Sequence, residues 1–264
     1  YIVFSERGNA DTLTIDDVEL TYVSSPYVPP VTYDLRFQSI LGNAQSGAGL
    51  DFDGTDDYVQ LGGKFNSLHD GTGGSISLWI NPDSTNNQEM FYTSTPTSAS
   101  GSTGGLELKF KTGNILKIAS ISTANGWITH DSVSTIPTDQ WTHLVVTWDE
   151  DYLLKVYLDG VLDSETTTAE PKANADTTVR LGGHVAGGGY LPYDGQMDEL
   201  AIYDYVLDYF AIETLYDNGN GRDPSTLQAF IQNNVKPITY YPLDDGTATN
   251  QYPPDAVVYN VCED

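Results

Sequence analysis

What most constrains this chain is its punctuation: short runs of β-branched and aromatic residues are broken roughly every ten residues by clusters of Gly, Asn, Asp, Ser and Pro. Within the runs, apolar residues alternate. Val59 and Leu61 flank Gln60; Ile76, Leu78 and Ile80 alternate with Ser77 and Trp79; Leu106, Leu108 and Phe110 alternate with Glu107 and Lys109. Alternate side chains of a strand point to opposite faces, so each run reads as a strand with one face on a core. Residues 141–148 are apolar on both parities, as expected of a central strand. Residues 153–158, then Asp159-Gly160, then Val161-Leu162 read as a hairpin whose two-residue turn needs positive φ. Residues 206–215 alone look helical, with Leu207, Phe210, Ala211, Thr214 and Leu215 at helical spacing before Asn218-Gly219-Asn220-Gly221. The expected class is all-β, with one short helix after the last strand of the sandwich.

Charge narrows the partners. Eleven Lys plus Arg against 37 Asp plus Glu leave a formal net charge of -26. Such a chain repels phosphate backbones and anionic headgroups, so neither nucleic acid nor membrane insertion is expected, and no apolar run approaches the roughly 18 residues that cross a bilayer. A carboxylate excess suits divalent cations and saline water, and equally a plain solvated surface. The single cysteine, Cys262, excludes an intrachain disulfide, which leaves an intermolecular bridge or a free thiol. Tyr1-Ile2-Val3-Phe4 shows no basic region ahead of an apolar one, so export is not read from the start.

The ends differ from the middle. Residues 1–30 read as an arm carrying a strand with Leu13, Ile15, Val18 and Leu20, followed by a Pro-bearing linker. Residues 31–222 hold the sandwich, and residues 223–264 form an extension. A polar Ser/Thr/Gly-rich loop is expected over 93–105, and loops on a rigid sandwich are where binding commonly sits.

Five landmarks in order carry a family resemblance. They are Gly49-Leu50-Asp51-Phe52-Asp53-Gly54, Ser75-Ile76-Ser77-Leu78-Trp79-Ile80, Gln140-Trp141-Thr142-His143-Leu144-Val145, Val156-Tyr157-Leu158-Asp159-Gly160, and Asp194-Gly195-Gln196-Met197-Asp198-Glu199-Leu200. The chain resembles laminin-G-like, concanavalin A-like jelly rolls. The resemblance implies two curved antiparallel sheets packed face to face, a structural calcium in many members, and use in adhesins, lectins, glycosidase accessory modules and phage particles. The family's opening strand is poorly matched over residues 31–40 and well matched by Tyr240, Tyr241 and Leu243 near the other end. That displacement suggests a piece cut from a tandem array, or terminal strands exchanged with neighbours.

Asp198 shares strand parity with Leu200 and Ile202, so its carboxylate is expected to be buried, at a cost of several kcal/mol unless paired or metal-bound. The resemblance implies Asp198 as a calcium ligand with Asp53 and Asp56 in the Asp-rich turn. The competing readings for Asp198 are a hydrogen bond from backbone amides of the Asp51–Asp57 turn and a surface position at a strand end, and, for the two turn aspartates, turn formation alone. His69, His130, His143 and His184 are scattered without the spacing of a zinc helix, and His143, between apolar neighbours, reads as a core histidine. Sandwich hydrolases carry Glu-x-Asp-x-x-Glu on one strand, which the 264 residues lack, as they lack a Gly-x-Ser-x-Gly elbow. No catalytic residue is assigned, and the chain is expected to be non-enzymatic.

Tyr92, Trp127, Tyr190 and Tyr193 fall near expected loops, where rings stack on sugars or cap sheet edges. Two functions follow as expectations. One is an assembly or adhesion subunit of a virion or extracellular surface array, whose arms pair with other copies or neighbouring proteins by strand addition. The other is a calcium-dependent carbohydrate-binding module.

Overall fold

The computed structural model describes residues 49–61, 73–84, 87–93, 105–124, 126–171, 179–183, 185–186, 189–222, 237–241 and 243. The chain divides into Tyr1–Ser39 and Ile40–Asp264, and every described residue belongs to the second unit. The expected arm strand with Leu13, Ile15, Val18 and Leu20 lies outside the described residues, as does the loop at 94–104.

Fifteen strands and one helix are described: β1 Leu50–Asp53, β2 Val59–Leu61, β3 Gly74–Pro82, β4 Glu89–Thr93, β5 Leu106–Lys111, β6 Ile115–Ile121, β7 Trp127–Thr135, β8 Thr142–Trp148, β9 Leu153–Leu158, β10 Val161–Thr167, β11 Val179–Leu181, β12 Val185–Ala186, β13 Gly189–Tyr190, β14 Asp194–Tyr203, α1 Tyr209–Tyr216 and β15 Thr239–Tyr241. They form a seven-stranded sheet in the order β1-β14-β3-β8-β9-β10 with β15 also on β14, a six-stranded sheet in the order β2-β11-β4-β5-β6-β7, and the small pair β12-β13. This is the all-β class that the alternation predicts, in the two antiparallel sheets that the family resemblance implies.

The core lies between the two large sheets. Ile76, Leu78 and Ile80 of β3 and Leu144 and Val146 of β8 meet Leu106, Leu108 and Phe110 of β5 and Met90 and Phe91 of β4. Each such side chain contributes roughly 1.5–3 kcal/mol when fully buried. The hairpin of β9 and β10 turns at Asp159 (φ 50) and Gly160 (φ 76), the two-residue turn expected there.

A second apolar layer covers the other face of the seven-stranded sheet, where Val145, Tyr157, Ala201 and Tyr203 pack under Ala211, Ile212 and Leu215 of α1. The central strands β3 and β8 are therefore buried on both faces. The helix starts at Tyr209, later than the apolar spacing suggests, because the Asp208 carboxylate accepts the Ala211 N–H at 2.8 Å and sets the N-terminus.

Two glycines hold the sandwich closed. At Gly182 (φ +86) a Cβ would stand 2.1 Å from the Phe52 ring, and at Gly195 (φ +133) 2.4 Å from the backbone oxygen of Asn81. On the opposite flank the edge strands β7 and β10 are tied side chain to backbone. The Asp163 carboxylate accepts the N–H groups of Val133 at 2.7 Å and Ser134 at 2.8 Å, and His130 Nε2 lies 3.0 Å from Ser164 Oγ.

The far end of the chain corrects an expectation. The segment around Tyr240, Tyr241 and Leu243 is not left over for a neighbour. Thr239–Tyr241 pairs antiparallel with Ile202–Leu200 of β14, on the edge that β1 covers only as far as Met197. Tyr241 and Leu243 join the central core and Tyr240 the layer under α1. The extension drawn from residue 223 thus contributes a strand to the sandwich, because β1 is too short to cover β14 by itself.

Candidate functional site

Two surfaces gather chemistry-bearing side chains: the turn after β1 and the outer face of the six-stranded sheet. In the turn, Asp53, Asp56 and Asp57 each bring a carboxylate oxygen within 4.8 Å of the others. Two oxygens on opposite sides of a calcium ion stand about 4.6–5.2 Å apart, so three such groups fit a hard cation taken by oxygen ligands at 2.3–2.6 Å. The loop is braced from within, since the Asp53 N–H donates to Asp57 Oδ2 at 3.0 Å and the Thr55 N–H to Asp53 Oδ1 at 2.8 Å. Burial raises the Asp57 carboxyl above its usual range; the hydrogen bond from Asp53 opposes that, and the charges of Asp53, Asp56 and Asp51 add to it. Asp57 was not singled out by the sequence, although it lies in the same Asp-Gly-Thr-Asp-Asp run.

Asp198 lies elsewhere. Asp53 sits opposite Asp194, whereas Asp198 sits opposite Trp79. Four residues along a strand is about 13 Å, too far to share one ion. The parity that was to set its face is also broken. A bulge at Glu199 (φ 54) shifts the register between Asp198 and Ala201, so Leu200 and Ile202 face the central core while Asp198 shares the other face with Trp79. Its burial is as expected, at 1% exposure, and Oδ1 accepts the Glu199 N–H at 2.9 Å. That amide belongs to the next residue of β14, so this contact is not the bond from amides of the turn after β1 that the competing reading expects. The neighbouring Glu199 Oε2 accepts the Tyr240 hydroxyl.

His143 lies on that same face under α1. It is fully buried, its Nε2 is 2.9 Å from Ser77 Oγ, and its ring packs against Trp79 and Tyr216. Burial lowers its basicity to about 3, so it stays neutral. Nδ1 has no hydrogen-bond partner among the described residues. A serine and histidine in contact, with no acid on the second ring nitrogen and a helix over them, form a structural pair.

The outer face of the six-stranded sheet is built from two cross-strand rows. Arg180 of β11 stands opposite Tyr92 of β4, Tyr92 opposite Glu107 of β5, Glu107 opposite Ala119 of β6, and Ala119 opposite Thr129 of β7. In the next row Glu89 of β4 faces Lys109 of β5, Lys109 faces Lys117 of β6, and Lys117 faces Asp131 of β7. Their neighbours Leu106, Leu108, Phe110, Leu116 and Ile118 point into the core, which obliges these residues to point out. Lys109 Nζ donates to Glu107 Oε2 at 2.7 Å, and Lys111 Nζ pairs with Asp131 Oδ2. The Arg180 guanidinium lies 4.8 Å from the centre of the Tyr58 ring. Ala119, the smallest member, forms the floor between Glu107 and Thr129.

Glu89 is the outlier. It is 1% exposed, and neither carboxylate oxygen has a hydrogen-bond partner among the described residues. Burial, then the charge of Glu107, push its acidity up to about 8 against the opposing pull of Lys109, so it is mostly protonated at neutral pH. The sequence places Glu89 beside a strand without marking it, because only the neighbouring strands make the position a buried one.

The aromatic residues divide between the faces. Tyr92 and Trp127 belong to the outer face, Tyr92 nearly covered at 7% exposure and Trp127 open at 62%. Tyr193 is corrected: it is 0% exposed, its ring packs on Phe52 and Phe110, and its hydroxyl donates to the Gln196 carbonyl at 3.1 Å. Gly182, which leaves room for the Phe52 ring, helps that interior position form. The side chain of Tyr190 lies outside the described residues.

Comparison with known proteins places this architecture. No curated protein matches the chain. Similar solved structures include a native heptameric SAP-like pentraxin from Limulus polyphemus, 18% identical over 63% of this chain and 80% of that one, with TM-score 0.47. Domain 4 of an extracellular arabinanase from Geobacillus stearothermophilus, in complex with arabinotriose, is 24% identical over 59% of this chain and 70% of that one, with TM-score 0.46. The CBM40 module of a Ruminococcus gnavus IT-sialidase is 16% identical over 61% of this chain and 91% of that one, with TM-score 0.49. The laminin-G model described as the concanavalin A-like lectin/glucanases superfamily matches residues 53–212, well over half of the 264, and spans β2 to α1. With its two antiparallel sheets and its closing helix, the chain belongs to the concanavalin A-like lectin/glucanases superfamily.

Proposed function

We propose that the chain is a non-catalytic, extracellular carbohydrate-binding module that holds its sugar on the outer face of the six-stranded sheet. The observation that carries this reading is the pair of polar rows across β11, β4, β5, β6 and β7, with exposed Trp127 on the same face opposite Ile121. Carboxylate, ammonium and guanidinium groups beside an aromatic ring supply what a sugar needs, hydrogen bonds to hydroxyls and an apolar surface for its C–H face. Membership in a superfamily that includes lectins supports it. A non-catalytic role is supported by the Lys109 ammonium, which holds Glu107 at 2.7 Å, and by the lack of a Glu-x-Asp-x-x-Glu strand in the sequence. A hydrolase needs two carboxyl groups free to exchange protons with the substrate.

In this reading Asp53, Asp56 and Asp57 hold a calcium ion that braces the turn between β1 and β2. Glycan-array screening of the full chain, with and without chelator, tests the function, and reducing-sugar release from each bound glycan tests the absence of catalysis. Silence on every glycan would overturn the proposal. The second reading, an assembly subunit of a virion or surface array, draws on the edge strand β10, where Val161 is 63% and Leu162 43% exposed. An oligomer in solution that dissociates when residues 1–25 are deleted would favour it.

A further inference from the structure

The outer face of the six-stranded sheet is open along one margin. Trp127 of β7 is 62% exposed, and the side chains of Lys111, Asp131 and Glu107 are 44%, 41% and 14% exposed, whereas Tyr92 falls to 7% and Ala119 and Glu89 to 1%. A sugar chain laid across the strands would run onto covered side chains. Laid along β7, the edge strand of its sheet, it meets Trp127, Thr129 and Asp131, which alternate with buried or inward residues and point outward. Trp127 and Asp131 lie four residues apart on this strand, about 13 Å at 3.2–3.4 Å per residue, a span for about three sugar residues.

The two ends of that span differ in chemistry. At one end the open indole of Trp127 offers an apolar surface on which the C–H face of a sugar ring packs. At the other the Lys111 ammonium holds the Asp131 carboxylate, as the Lys109 ammonium holds Glu107 further in. In such a pair the ammonium only donates hydrogen bonds and the carboxylate only accepts them, which suits neighbouring hydroxyls, each able to do both. Lys117, opposite Asp131, adds a further donor at that end. An anionic substituent brought to the Lys111–Asp131 pair meets a like charge beside the opposite one, on a chain whose formal net charge of -26 already repels it.

We infer that the ligand of this face is a neutral, linear polysaccharide whose chain runs along β7, with one ring on Trp127 and, about three residues further on, hydroxyls on the Lys111–Asp131 pair. The inference rests on the carbohydrate-binding reading and narrows it to a ligand class and a direction on the sheet.

Titration calorimetry of the full chain tests it, with dextran, β-glucan, xylan, mannan and arabinan as neutral probes and polygalacturonate and dextran sulfate as charged ones. At least one neutral polymer should bind about tenfold or more tightly than either charged one, and its affinity should change by less than about twofold as salt rises from about 0.05 to 0.5 M. The trisaccharide of that polymer should come within about threefold of the polymer, and the monosaccharide should fall about tenfold or more short. Trp127→Ala should lose about tenfold or more in affinity and Trp127→Phe much less, while Val161→Ser, on the other sheet, should match the parent. A charged probe bound more tightly than every neutral one, Trp127→Ala binding like the parent, or a monosaccharide as good as the trisaccharide would each overturn this inference and leave the carbohydrate-binding reading standing. Silence of the chain on every polysaccharide fells the parent reading with it.

Discussion

Replacing Glu89 by Gln should make the protein more stable at alkaline pH and leave it unchanged near pH 4.5. An unfolded chain releases the Glu89 proton near its ordinary 4.5, whereas the folded protein keeps it up to about 8, chiefly because the side chain is buried. Over that interval the folded state binds more protons than the unfolded one, so stability falls as pH rises from 4.5 and levels off above 8. At about 1.36 kcal/mol for each pH unit between 4.5 and about 8, the full loss has a ceiling near 5 kcal/mol. Water entry and side-chain relaxation lower it, so about 2–4 kcal/mol is the expected difference at pH 9. Gln keeps the shape and stays neutral throughout, so this contribution disappears in the variant. Urea unfolding of both proteins between pH 4.5 and 9, followed by tryptophan fluorescence, measures the difference, and subtraction cancels every other titrating group. A difference that stays within about 0.5 kcal/mol across the range would refute the reasoning, since it would mean that Glu89 ionises as easily folded as unfolded.

Three further outcomes are expected. Asp163→Ala should cost about 1–2 kcal/mol at pH 7, because the carboxylate accepts two backbone N–H groups that join the sheet edges. Burial would raise the Asp163 carboxyl, but the hydrogen bonds from Ser134 and Val133 outweigh it and hold it below its usual range; the cost is thus full above pH about 4 and fades as pH drops through the lowered value, as thermal unfolding at pH 7 and below 3 will read. Gly195→Ala should destabilise by about 3 kcal/mol or more, since its Cβ meets backbone that cannot yield, against about 1 kcal/mol for Gly113→Ala, which has positive φ but open space; chemical denaturation of the pair separates sterics from backbone strain. Added calcium should raise the melting temperature by several degrees, an increment abolished in Asp53→Asn/Asp56→Asn and retained in Asp198→Asn, which lies about 13 Å along β14 from the turn.

Much of the fold was legible because side-chain alternation is a local property. Ile76, Leu78 and Ile80 face the core as their spacing requires, residues 142–148 are central as their unbroken apolarity requires, and Asp159-Gly160 turns as its φ preference requires. Strands without that alternation were harder to see: β6 carries apolar residues on both parities after Lys117, and β7 mixes Trp127 with polar residues on its exposed side. The candidate site was half visible. Trp127 and Tyr92 were marked as aromatic residues, but Tyr193 was marked with them, and nothing local separates a ring that stacks on sugar from one that packs on Phe52 and Phe110.

By itself, the sequence determined an all-β chain with its turns and one short helix, since periodicity and turn chemistry act over a few residues and need no distant partner, and the resemblance of its five landmarks added the two-layer antiparallel arrangement. Tertiary structure alone decided three matters. A bulge at Glu199 turned Asp198 away from the face its parity assigned, and β15 closed the edge of β14 within its own chain. Lys109, Lys117 and Glu89 came from three strands into one row, because a face is defined by which strands lie side by side, and that order is set by packing.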